Sequence, residues 1–141
     1  MSKFDNMLGV QPEVRREIYL RDKAMAGDMV FSVSPSTAAP SPTAAAWTRT
    51  VYVKLQSAAG EQHTWFNDAI ASGVSIADTS TAGTASIAST TLTFANGMST
   101  VVVSGDAADW LDTETDTLTV AEATILGYTI AAKTSVETFT A

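Results

Sequence analysis

From Trp47 onward the apolar residues of this chain recur at every second position. In TRTVYVKLQ, Val51, Val53 and Leu55 alternate with Thr50, Tyr52 and Lys54, the pattern of a strand with one face on a core and the other in water. Ala58-Ala59-Gly60 offers a turn into EQHTWF, where Thr64 and Phe66 oppose His63 and Trp65, so the two segments read as a first hairpin. Gly73 precedes VSIAD, Ala82-Gly83 precedes TASIA, and STTLTF passes through Asn96-Gly97 into MSTVVVSG. Asn-Gly between two alternating apolar runs is the strongest short-range hairpin signal a sequence carries. Gly105 opens a loop, DAADWLDTETD, and DTLTVAEA, TILGYTIAA and TSVETFTA supply the last strands. About seven to nine strands, spaced roughly 8–12 residues apart, predict an antiparallel β-sandwich, and the absence of a helix-length period there excludes alternating βαβ units.

Ahead of Trp47 the period changes. EVRREIYLRDKAMA, between Pro12 and Gly27, is rich in helix formers. Pro12 suits the first helical turn, Gly27 suits a left-handed C-terminal cap, and Glu13 and Lys23 sit at the ends the helix dipole favours. The spacing predicts one short helix over residues 12–26. At about 100° per residue, Val14, Ile18 and Met25 share a narrow stripe with Arg21, while Leu20 and Ala24 fall to one side. Glu17 and Arg21 are spaced for an i, i+4 ion pair. A helix of this length is marginal alone in water, so Val14, Ile18, Arg21 and Met25 are the candidate residues for docking on a partner. MVFSV (residues 29–33) reads as a brief strand. Ser34 to Ala46, with Pro35, Pro40 and Pro42, reads as a semi-stiff linker. The expected organisation is an N-terminal arm over 1–33, a linker over 34–46 and a sandwich domain over 47–141.

Charge sharpens that division. No Lys or Arg occurs between Lys54 and Lys133, a run of 78 residues. Residues 1–46 carry five basic and five acidic groups, residues 47–141 three basic and ten acidic, so the net charge of −7 belongs to the second segment. Such a surface repels phosphate backbones and anionic lipid, which argues against nucleic-acid and membrane partners. There is no cysteine, which removes disulfides, thiolate metal sites and thiol nucleophiles. MSKFDNMLGVQPEVRRE lacks a signal-peptide core, and no segment approaches the roughly 20 apolar residues of a membrane span. The expectation is a soluble protein made in the cytoplasm.

Candidate chemistry is sparse. His63 is the only histidine, and its simplest reading is a strand residue facing solvent or a neighbouring subunit. In the acidic stretch Asp106, Asp109, Asp112, Glu114, Asp116, the last three place oxygen ligands at alternate positions, as a calcium loop would. The glycine and the closing glutamate of the EF-hand pattern are missing, and a solvated loop is the simpler account. Trp47, Trp65 and Trp110 suit either a carbohydrate platform or pins in a core. No GxSxG, P-loop, dinucleotide fingerprint or HExxH occurs, so neither an enzyme nor a cofactor is expected.

The run WTRTVYVKLQSAAGEQHTWFN, followed by GVSIADTSTAGTASI, TLTFANGMSTVVVSG and TDTLTV, resembles the immunoglobulin-like β domains of structural proteins of tailed bacteriophages. TLTFANGMSTVVVSG is also similar to bacterial immunoglobulin-like repeats of surface adhesins. The phage resemblance implies a non-enzymatic virion protein, a capsid decoration or minor head protein. The arm would hold it to the major capsid protein or another virion protein, with the domain displayed outward. It also implies self-association, a trimer being one option. The alternatives are an adhesin-like module that recognises host glycan or surface protein, and a tail or baseplate component.

Overall fold

The computed structural model describes residues 11–35 and 44–140. It is mainly β, with antiparallel sheets and one short helix near its start. In chain order the elements are α1 (Pro12–Met25), β1 (Val30–Pro35), β2 (Trp47–Gln56), β3 (Ala69–Ile70), β4 (Val74–Asp78), β5 (Ala85–Ile87), β6 (Leu92–Thr93), β7 (Met98–Gly105), β8 (Thr115–Val120), β9 (Ala123–Ile125), β10 (Tyr128–Ile130) and β11 (Lys133–Thr138). Two sheets face each other, one ordered β1-β2-β7-β5 and the other β11-β8-β4. Two short ribbons, β3-β6 and β9-β10, flank them.

The predicted alternation is realised in β2, where Trp47, Arg49, Val51, Val53 and Leu55 all turn inward. Across from it, β8 turns Asp116, Leu118 and Val120 inward. The core between them has an aromatic pole at each end. Trp47, Trp110 and Phe139 meet with ring centroids 5.0–5.4 Å apart, while Phe66 lies 5.1 Å from Phe94, which stacks on Phe31 at 6.3 Å. Offset and edge-on aromatic pairs add to what their burial alone contributes.

The boundary expected between an arm and a domain is corrected here. β1 pairs antiparallel with β2 along its whole length, from Val30 opposite Gln56 to Pro35 opposite Val51. Phe31 is 3 % exposed and belongs to the core. Ser34 and Pro35, read as the start of a linker, are instead the last residues of β1, so residues 30–35 are part of the sandwich. The physical reason is pairing: β2 offers a full edge of backbone donors and acceptors, and a short alternating segment satisfies it. Pro40 and Pro42 lie outside the described residues, as do residues 1–10 of the arm.

Two local expectations also change. EQHTWF makes a single bridge, Gln56 with Gln62, and then turns away from the ladder. TILGYTIAA, read as one strand, splits into β9 and β10 around Leu126-Gly127. By contrast, Asn96-Gly97 makes the expected turn, with φ of 51° and 78° and mutual hydrogen bonds between Ala95 and Met98.

Candidate docking surface

α1 begins at Pro12 without a side-chain cap and ends in a left-handed closure at Gly27, φ 89°. There the Gly27 amide donates to the Ala24 carbonyl and the Asp28 amide to the Lys23 carbonyl, the paired bonds of a Schellman motif. This closure turns the chain from α1 into β1 and fixes which helix face meets the body. Leu20 and Ala24 are fully buried. The docking expected on a partner thus takes place first on the chain's own domain, through the two residues that lie beside the predicted stripe.

The helix end is tied down by polar contacts from the 57–63 segment. The Lys23 ammonium lies 3.0 Å from Glu61 Oε1 and 4.0 Å from Asp28 Oδ2. Its hydrogen bonds to Glu61 and Tyr19 raise its pKa above the ordinary lysine value. The Ala58 amide donates to Asp28 Oδ1 at 2.8 Å. His63 is fully buried, with Nε2 2.8 Å from the Asp28 carbonyl. Because a carbonyl only accepts, Nε2 carries the proton and donates. Nδ1 has no partner among the described residues. The expected solvent-facing strand histidine is corrected: His63 is an internal strut between helix end and sheet.

The predicted stripe stays outside. Val14 is 46 % and Met25 59 % exposed, Ile18 is half-buried and Arg21 exposed. Every residue from Pro12 to Glu17 is exposed except the half-buried Arg15. Arg21, spaced for a pair with Glu17, lies over the Trp65 ring at 5.9 Å, within cation–π range. Beside them opens a cavity of about 550 Å³, lined by Arg21, Trp65, Asp68 and Ile70 on one side and by Thr124 and Leu126 of the β9–β10 hairpin on the other. Leu126 is 49 % exposed, and the neighbouring Tyr128 has its ring against Gly27 at the helix end.

The acidic residues do not converge. Asp112 faces solvent, Glu114 turns back under its own loop, and Asp116 points into the core. The Leu111 and Thr81 amides donate to Glu114 at 2.9 and 3.1 Å. The Leu111 bond foremost holds its carboxyl below the usual value, against the opposing effect of burial. Asp116 forms a buried ion pair with Arg49 of the facing sheet, through Nη2 to Oδ1 and through Nε to Oδ2 at 3.2 Å. The calcium reading of Asp112, Glu114 and Asp116 is corrected on that ground: Glu114 is taken up by backbone amides of its own loop and Asp116 by Arg49 in the core, so the three carboxylates share no space. Among the described residues no three acidic or imidazole side chains gather in a metal-holding group.

Of the tryptophans, Trp47 and Trp110 are core pins, and only Trp65 borders open space. The Arg49–Asp116 pair escaped the sequence reading, although its signal was there. Arg49 is in phase with Val51, Val53 and Leu55, and Asp116 with Leu118 and Val120, so opposite charges stood on two inward faces. No helix among the described residues is long and apolar enough to cross a membrane. No protein-family model matches the chain, and no curated protein matches it.

Proposed function

We propose that this protein is a non-enzymatic docking component of a larger assembly, and that the assembly is a phage particle with the protein as capsid decoration or minor head protein. One observation carries the docking part: α1 seats Leu20 and Ala24 on its own domain and leaves Val14 and Met25 uncovered on the neighbouring stripe. A helix whose apolar residues extend beyond the face it buries has surface to spare for a partner. The buried ionisable groups favour a role without catalysis. His63 holds Asp28, Asp116 holds Arg49, and Glu114 holds two backbone amides. The particle setting rests on the sequence resemblance.

The same proposal includes an immunoglobulin-like sandwich. Lettered in chain order as A (β1), B (β2), C (β4), D (β5), E (β7), F (β8) and G (β11), the sheets run A-B-E-D and G-F-C. That is the order of constant-type immunoglobulin domains. The segment first read as part of a tether is then strand A. Strands B and F, which a disulfide joins in antibody domains, are joined here by Arg49 and Asp116.

The test is a double substitution, Val14→Glu with Met25→Glu, followed through particle purification on a density gradient. Both sites are exposed, so melting should change by no more than about 0.5 kcal/mol equivalent, while co-sedimentation with particles is lost. Undiminished co-sedimentation of the variant would refute the assignment of α1, and absence of the wild-type chain from particles would refute the setting.

A further inference from the structure

The cavity beside α1 has a wall, β9, whose outer backbone edge pairs with no other strand among the described residues. β9 pairs with β10 only, and the register Ile125–Tyr128, Thr124–Thr129, Ala123–Ile130 closes on a two-residue turn. Leu126 and Gly127 have φ of 53° and 80°, so the turn is type I′ and Ile125 and Tyr128 are its hydrogen-bonded pair. Alternation then turns the N–H and C=O of Thr124 away from β10, and Thr124 lines the cavity. On the opposite wall, β3 is held to β6, with the Phe94 amide donating to the Asp68 carbonyl at 2.8 Å. The same alternation turns the Ala69 carbonyl outward. Two strand edges thus border one open space, and no backbone hydrogen bond from another described residue reaches either of those outward groups.

We propose that this cavity takes an extended polypeptide segment of a partner protein, paired to the free edge of β9 at Thr124, with a carboxylate of the segment on Arg21 and an apolar side chain against Leu126 and Trp65. An unpaired strand edge next to side-chain subsites is the physical basis of strand addition, in which backbone bonds supply affinity and the subsites supply selection. Arg21 is the only cation in the lining, and its guanidinium, 5.9 Å from the centre of the Trp65 ring, suits a carboxylate. Leu126 supports the assignment independently. A leucine at positive φ, half exposed at a hairpin tip, is disfavoured both by its backbone and by its contact with water. Asparagine or glycine would relieve both, so the leucine has a use outside the fold. The volume, about 550 Å³, lies within the range of ligand-binding clefts. This inference goes beyond the particle setting and stands whichever partner covers α1.

The experiment selects a displayed library of random decapeptides on the immobilised full chain, then measures binding of the enriched peptides by calorimetry. Enrichment of sequences with Asp or Glu close to an apolar residue is expected. Thr124→Pro, which removes only an edge N–H outside the β9–β10 ladder, should weaken binding at least tenfold, whereas Thr124→Val should leave it within threefold. Arg21→Glu should weaken it at least tenfold, and Leu126→Asn should weaken binding while raising the melting temperature. In the wild-type protein, bound peptide should slow hydrogen exchange at the Thr124 amide. Failure to enrich any peptide, equal binding by Thr124→Pro, or unchanged exchange at Thr124 on saturation would each overturn the proposal.

Discussion

At the scale of single residues the decisive contact is a guanidinium and a carboxylate sealed between two sheets. Arg49 is 2 % exposed and Asp116 fully buried, so each charge is tolerable only because of the other. Arg49→Met should cost about 3–5 kcal/mol by leaving a buried carboxylate unpaired. The double replacement Arg49→Met with Asp116→Leu should recover most of that, and urea denaturation midpoints of the three chains measure it. Asp78, Asp116 and Glu137 stand abreast on β4, β8 and β11, which gives the sandwich a pH dependence. Burial pushes the Glu137 carboxyl up from its usual 4.5, with Arg49 opposing and Asp116 adding to the shift. Ionised Glu137 therefore subtracts stability above its folded value, and the penalty fades as pH falls through that value toward 4.5. Glu114 runs the other way: its carboxyl lies below 4.5 when folded, so its contribution is present above 4.5 and lost as pH drops through the folded value. Glu137→Gln should be the more stable chain at about pH 7, by roughly 1 kcal/mol or less given its partial exposure, and the gap should close near pH 4.5. Glu114→Gln should be the less stable chain at about pH 7, with its gap closing only below 4.5. Urea midpoints followed across this range decide both.

At the scale of elements, two hairpins with one geometry show what a sequence discloses. Asn96-Gly97 and Leu126-Gly127 have φ values within two degrees of each other at both positions. The first was legible because asparagine tolerates the left-handed region and a glycine after it completes the signature. The second was hidden, since leucine there is disfavoured by about 1–2 kcal/mol and TILGYTI reads as an unbroken apolar strand. Gly97 is required twice over, because a Cβ there would stand 2.3 Å from the His63 carbonyl oxygen as well as meeting a positive φ. EQHTWF failed as a strand for a tertiary reason. The His63 amide still reaches the Leu55 carbonyl at 2.9 Å, but its ring is drawn under α1 to Asp28, and Trp65 turns outward to Arg21. In α1, propensity and caps located the helix, while the choice of inward face rested on Leu20 and Ala24, which the wheel had placed beside the main stripe.

At the scale of the whole molecule, helix, first strand and sandwich form a connected body, and truncation exposes this. A chain beginning at Met29 keeps β1 but loses Leu20, Ala24 and the Asp28 carbonyl under His63. It should fold with a loss of about 3 kcal/mol, from one buried leucine and one buried polar group left unpaired. A chain beginning at residue 36 also loses Phe31 and the edge of the β1-β2-β7-β5 sheet, and should show no cooperative melting transition by circular dichroism. The alternation of β2 and β7, the Pro12 start and Gly27 end of α1, the Asn96-Gly97 turn and the acidic character of residues 47–141 were set by the sequence alone. Each depends on residues within a few positions of one another, where sterics and periodicity act without reference to the rest of the chain. Tertiary structure alone decided that residues 30–35 close a sheet, that α1 lies on its own domain, that Arg49 meets Asp116 across 67 positions and that His63 meets Asp28 across 35. Those choices turn on which distant groups share a desolvated space, and in that space an unpaired charge or backbone edge costs more than any local preference gains.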